Sequence, residues 1–197
     1  MWLVAGAVVL AVLLAIFVAG GGQQGAERYS YAVGNPGPGE PAPALRLPAT
    51  DGSTFDMADL RGKRVLLYFQ EGIMCQPCWD QLRDIERRWD DFDAAGIDTI
   101  ASITSDDLGA LRQKVALEKL STPLLSDPGV QVSRNWEVNL YGMMGTSMNG
   151  HSLIVVGPDG TVEWRADYGG KPNYTMYVPV DRLLSDLRAG LAKGDAR

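Results

Sequence analysis

The stretch Arg64-Val-Leu-Leu-Tyr-Phe69-Gln-Glu-Gly-Ile-Met-Cys75-Gln-Pro-Cys78 decides the fold. Arg64 to Phe69 is a short apolar, β-prone run of the kind buried on both faces in a central strand. It leads into Cys75, and from Cys78 onward the apolar residues Cys78, Leu82, Ile85, Trp89 and Phe92 recur at helical spacing. Pro77 stands where the first turn of a helix tolerates proline, because that N–H has no intrahelical partner. The two cysteines therefore sit at a strand-to-helix junction. The helix carries charge on its other face, and the run Asp84 to Asp93 reads as that solvated surface.

Outward from this junction the chain alternates strand and helix patterns. Ile97 to Ile103 reads as the next strand, and Ser105 as the N-cap of a helix reaching about Lys119. Leu124 and Leu125 form a brief strand before the turn signal Asp127-Pro128-Gly129. Ser152–Val156 and Thr161–Ala166 flank Gly157-Pro158-Asp159-Gly160 as a hairpin. Val180, Leu183, Leu184, Leu187 and Leu191 give a last amphipathic helix, with Gly194 expected just past its end. Parallel strands joined by helices, closed by a hairpin and a helix, predict a three-layer α/β/α domain with a central mixed sheet.

The 197 residues carry a net charge of −6 and no basic stripe, which excludes nucleic acid as the main partner. Composition is uneven along the chain. Trp2 to Ala19 is almost wholly apolar, has no charged residue, and as a helix would rise about 27 Å, close to the hydrocarbon core of a bilayer. Residues 1–22 are accordingly expected to be one N-terminal transmembrane helix, with a cleaved signal sequence as the competing reading. A lone span of this kind places the domain outside the cytoplasm, as a single-pass protein of the cell membrane. Gly34 to Pro43 holds four prolines and three glycines, so residues 23–40 read as a semi-extended linker. The folded domain is then expected at 41–192, with a tail at 193–197.

Cys75-Gln76-Pro77-Cys78 places the first sulfur at a helix N-terminus, where free N–H groups and the dipole favour a thiolate. Cys75 can attack a substrate and Cys78 can resolve the product, the chemistry of a redox-active pair. As a structural staple the loop is too short to stabilise much. A four-ligand Cys/His zinc site cannot be assembled from two cysteines and one histidine, and a c-type haem needs His where Trp79 stands. No cofactor is called for.

With these residues in view the sequence resembles the redoxin branch of the thioredoxin-like superfamily, which includes the alkyl hydroperoxide reductase/thiol-specific antioxidant (AhpC/TSA) group. The resemblance is carried by Gly39-Glu40-Pro41-Ala42-Pro43-Ala44-Leu45-Arg46-Leu47, Asp51-Gly52, Leu60-Arg61-Gly62-Lys63, Pro123-Leu124-Leu125-Ser126-Asp127-Pro128 and the Pro158-Asp159-Gly160 hairpin. It implies a thioredoxin-like fold with Cys75 as attacking and Cys78 as resolving sulfur. Peroxiredoxins carry Pro-x-x-x-Thr-x-x-Cys, and counting back from Cys75 finds Tyr68 and Gly72 instead. That departure favours exchange with protein disulfides or thiols, supported by a separate thiol electron donor or acceptor, over peroxide reduction as the alternative.

The one histidine, His151, falls where peroxiredoxins have an arginine and many thioredoxins a cis-proline, at the end of a strand facing the motif. There it can move a proton or stabilise the Cys75 thiolate. Met143, Met144 and Met148 precede it. Soft sulfur and imidazole suit Cu(I), so a second alternative is a copper-handling module with Cys75, Cys78, His151 and Met148 as ligands; otherwise the methionines form an adaptable rim for a protein substrate.

Overall fold

The computed structural model describes residues 28–194. Within them lie β1 (Arg46–Pro48), β2 (Thr54–Asp56), β3 (Val65–Phe69), α1 (Gln76–Arg87), α2 (Trp89–Asp93), β4 (Thr99–Thr104), α3 (Leu108–Glu118), β5 (Leu124–Ser126), α4 (Gln131–Asn135), β6 (Ser152–Val156), β7 (Val162–Asp167) and α5 (Val180–Gly194). The order of the five-stranded sheet is β5-β4-β3-β6-β7. β3 pairs parallel with β4 and antiparallel with β6, so the sheet is mixed and the strand leading to the cysteines is its centre. Every residue of β3 is buried, as its unbroken apolar run requires.

Alternation along β3 sorts the two layers. Val65, Leu67 and Phe69 join Ile103, Ile154, Trp136 and the β1 residue Leu47 in one apolar cluster, with Phe55 and Val132 against it. Leu66 and Tyr68 point to the opposite face, where the Tyr68 hydroxyl reaches α1. α3 lies beside α1, joined to it by the Arg83–Glu118 ion pair, and Glu86 of α1 accepts from the N–H groups of Ser121 and Thr122 in the segment after α3. α5 packs on β7, bringing Gly190 against the Trp164 ring, where any side chain would collide. The second outer layer is built mainly from the β1–β2 hairpin and short segments rather than long helices.

Four sequence expectations need correction. The stripe from Cys78 to Phe92 is broken at Arg88 into α1 and α2. The cap of α3 is Asp107, not Ser105: its carboxylate accepts from the N–H groups of Gly109 and Ala110. Gly194 is the last residue of α5 rather than the residue beyond it. The largest difference concerns the Gly/Pro-rich stretch. The compact unit begins at Tyr31, and residues 31–42 form a strap along the β7 edge rather than a spacer. Ala32 and Asp167 exchange backbone hydrogen bonds, Gly39 N–H donates to the Val162 carbonyl, and Val162 N–H to that of Glu40. Prolines fit such a segment because an edge strap needs only some of its N–H groups.

No helix among the described residues is long and apolar enough to cross a membrane. The run Trp2 to Ala19, and with it the expected anchor at 1–22, lies outside the described residues, as do residues 195–197.

Candidate functional site

Where β3 ends, the chain turns through Gln70 to Met74 and enters α1 at Cys75, its N-cap. Gly72 makes that turn possible. Its φ of +91° suits glycine, and a Cβ there would lie 1.9 Å from the Asp106 carboxylate. Asp106 accepts from Ile73 N–H at 2.9 Å, and the Trp79 indole N–H donates to the Gly72 carbonyl at 3.0 Å. The buried carboxylate of Glu71 accepts from Met143 N–H at 2.7 Å, fastening the methionine loop beside the motif. The turn is thus held from three sides.

Cys75 and Cys78 are joined as a disulfide, with Cα atoms 5.3 Å apart. Cys75 Sγ accepts from Cys78 N–H at 3.3 Å, so one sulfur stands on the free donors of the helix N-terminus. Cys75 keeps 7% of its surface and Cys78 none, so Cys75 is the more accessible residue of the pair. Met74, next to Cys75 in the chain, and Met143 and Met144, in the loop that Glu71 fastens, are exposed and offer apolar, deformable side chains.

The register of β3 changes how the Pro-x-x-x-Thr-x-x-Cys pattern falls on this chain. Counting back from Cys75 sets the proline at Tyr68, which pairs with both Ser102 and Leu153 in the central strand, where proline would break the ladder. Counting back from Cys78 sets it at Glu71, beyond the strand, and puts the Cys75 sulfur where the threonine hydroxyl would be. Neither register supplies the proline or the threonine: counting from Cys75 finds Tyr68 and Gly72, and counting from Cys78 finds Glu71 and Cys75.

His151 lies on the Tyr68 face of the sheet. It is fully buried, its ring 5.2 Å from that of Tyr68 and 6.2 Å from that of Tyr168. Nδ1 is 2.7 Å from the Thr175 carbonyl oxygen, a contact that requires the proton on Nδ1. Nε2 has no partner. Burial lowers its pKa from 6.5 to about 4, against the smaller opposing effect of the Thr175 carbonyl, so the imidazole is neutral at physiological pH. A neutral ring cannot serve as the cation expected beside the thiolate. Tyr68 is equally buried, and its hydroxyl donates to the Cys78 carbonyl at 3.2 Å; burial, then the Glu71 charge, push its pKa well up.

The proposed copper ligands do not converge. Among the described residues no three His, Cys, Asp or Glu side chains form a group able to hold a metal ion, His151 is enclosed by tyrosines, and Met148 is half-buried. Tyr68, Glu71 and Asp106 are site residues that sequence reasoning missed. Only Tyr68 carried a signal, as the one hydroxyl in an apolar strand.

The AhpC/TSA family model matches residues 38–165. The chain is 35% identical over 130 residues to a putative peroxiredoxin of Mycobacterium tuberculosis, across 64% of this chain and 81% of that protein. It is 31% identical over 128 residues to peroxiredoxin Bcp of Escherichia coli K12, with the same coverage. Among solved structures, peroxidoxin BcpB from M. tuberculosis superposes with a TM-score of 0.63 at 21% identity, covering 77% of this chain and 96% of that one. AhpC of Enterococcus faecalis gives 0.64 at 15%, covering 79% and 92%. These two likenesses speak for the thioredoxin-like fold alone.

Proposed function

Because this chain belongs to the AhpC/TSA family and is a thiol-based oxidoreductase, we propose that it is a thiol peroxidase working through Cys75 and Cys78. The reading is carried by one observation: a disulfide across a helix N-terminus in which Cys75 is the more accessible residue. In the reduced protein the Cys75 thiolate attacks the peroxide O–O bond. One oxygen stays on sulfur as sulfenic acid and the other leaves as water or an alcohol. Cys78 then attacks the Cys75 sulfur, the S–O bond breaks, water leaves, and the disulfide forms. An external thiol reductant returns both sulfurs to thiols. This reading takes precedence over exchange with protein disulfides, because the relatives of highest identity described above are peroxiredoxins.

The test is peroxide consumption by the reduced chain with a dithiol reductant. We expect turnover far above that of free cysteine, its loss in Cys75→Ser, and trapping of a Cys75 sulfenate by a dimedone-type probe in Cys78→Ser. If Cys75→Ser keeps full turnover, or the reduced chain opens a model disulfide rapidly yet leaves peroxide untouched, the peroxidase assignment fails. We also propose that Trp2 to Ala19 tethers the enzyme to the cell membrane with its domain outside the cytoplasm. Retention in alkali-washed membranes and labelling of the reduced cysteines by an impermeant reagent are the expected outcomes; release by alkali would refute the tether.

A further inference from the structure

Among the described residues six large hydrophobic side chains are exposed: Val33, Met74, Leu117, Leu140, Met143 and Met144. Five of them belong to three segments that meet. Val33 precedes Gly34, where a Cβ would lie 2.6 Å from the Tyr141 hydroxyl oxygen, and a Cβ on Gly170 would meet both the Tyr141 ring and Ala32 of the strap. Leu140 precedes Tyr141. Met143 donates its N–H to Glu71, three residues before Met74 in the turn that presents Cys75. The strap, the methionine loop and the motif turn are therefore contiguous. Leu117 lies on α3, outside these three segments.

Two properties set this region apart. It is uncharged: residues 31–39, 72–79 and 138–150 contain no Asp, Glu, Lys or Arg, in a chain of which 21% is charged. Its apolar side chains are also held out by structure. The methionine loop is closed at its base by Gly150 N–H to the Val138 carbonyl and His151 N–H to that of Tyr141, both 3.0 Å, and braced across by the Asn139 amide, which donates to the Thr146 carbonyl at 3.1 Å. A braced loop that presents two methionines to solvent exposes apolar surface at a cost in water, and a partner that covers it removes that cost.

We propose that this uncharged methionine face rests on the lipid surface of the membrane that anchors the chain. The inference deepens the reading of a tethered thiol peroxidase and rests on its tether. The occupant follows from where the chain enters. Trp2 to Ala19 is the run long enough to span a bilayer, and Tyr31, the first residue of the compact unit, is twelve residues beyond it and two before Val33. Twelve residues reach at most about 40 Å, so the domain is held close to the bilayer by the end of it that carries Val33. A specific protein partner takes its register from charged and polar groups, and an anionic lipid surface needs Lys or Arg. This face offers no charge to either, whereas flexible thioethers enter the headgroup boundary of a neutral bilayer without one. Docked in this way, the turn carrying Cys75 stands at the headgroup level, and peroxide and reductant meet it along the membrane surface.

The test uses the full chain, made with photoreactive leucine and methionine in place of the natural residues and reconstituted into phosphatidylcholine vesicles. After illumination, lipid adducts are mapped by peptide mass spectrometry. Leu140 and Leu117 form an internal comparison, because Leu117 is the more exposed, 79% against 56%. We expect adducts at Leu140, Met74, Met143 and Met144, at least about tenfold more at Leu140 than at Leu117, and no change on raising the salt to about 1 M. Met143→Asp combined with Met144→Asp should cut the Leu140 adduct about tenfold and leave the chain in alkali-washed membranes. Equal yields at the two leucines, absence of adducts from the face, their loss in high salt, adducts joining two copies of the chain in their place, or an undiminished Leu140 adduct in the double variant would overturn the proposal. Failure of the tether reads separately, as absent adducts at Leu13 and Leu14 and release by alkali, and peroxide turnover does not enter the readout.

Discussion

On one face of the β6–β7 ladder, Arg165 and Asp167 form a fully buried ion pair with two parallel hydrogen bonds, of 2.8 and 3.1 Å. On the other face, beside the strand position paired with Asp167, His151 is as deeply buried with half of its ring unpartnered. The first cluster is closed. Arg165 also donates to the Pro36 carbonyl, and the Asp167 carboxylate accepts from Gly34 N–H. The second is open, and its neighbour Tyr68 donates to the Cys78 carbonyl. Polar groups buried at equal depth thus differ in kind: the satisfied ion pair fastens the strap, whereas the half-satisfied ring is kept neutral by its burial.

Breaking the closed cluster has the largest expected effect on stability. Arg165→Met leaves the Asp167 carboxylate buried without its guanidinium, which costs about 3–5 kcal/mol. Denaturant titration checks this, and proteolysis between residues 31 and 42 should accelerate as the strap loses its anchor. Replacing both partners by apolar residues should cost much less, since the penalty comes from the charge left alone. A double variant as unstable as Arg165→Met would refute that account.

The open cluster shows itself in acid. The folded pKa of His151, about 4, lies below its ordinary 6.5. Above pH 6.5 both folded and unfolded chains are neutral there, and nothing is lost. As pH falls below 6.5 the unfolded chain takes up a proton that the folded one refuses, so stability declines until about pH 4. The window amounts to about 3 kcal/mol. His151→Gln should remove this component of the slope between pH 6.5 and 4 in denaturant titrations. The same slope in parent and variant would mean the imidazole is reached by water.

How far these clusters could be read from the sequence depends on how local their causes are. The β3–α1 junction, the hairpin and α5 follow from short-range periodicity, and they appear where the pattern places them. Arg165 does not: Val162, Trp164 and Ala166 alternate as the apolar side of a strand, which assigns Arg165 to solvent. It is buried because a strap more than a hundred residues earlier covers it. His151 was legible as a residue at a strand end near the motif. Its burial was not, because that depends on Tyr168 and Thr175, which come back over it from beyond β7. Glu71 and Asp106 were illegible for a similar reason, since their partners are backbone N–H groups distant in sequence.

The smallest effect compares two neighbouring carboxylates and brings the same distinction down to a single residue step. Asp107 caps α3 through the N–H groups of Gly109 and Ala110, a local bond, while Asp106 reaches across to Ile73 N–H in the turn that presents Cys75. Each accepts from a backbone donor, so replacing either by alanine should cost about 1 kcal/mol. Only Asp106→Ala should also alter the site, because Gly72 and Ile73 then lose the group that fixes the turn. We expect Asp107→Ala to keep the parent rate of Cys75 alkylation in the reduced chain and Asp106→Ala to change it several-fold. Equal rates in both would mean that the Gly72 and Trp79 contacts hold the turn unaided, and that Asp106 belongs with the architectural groups rather than with the site.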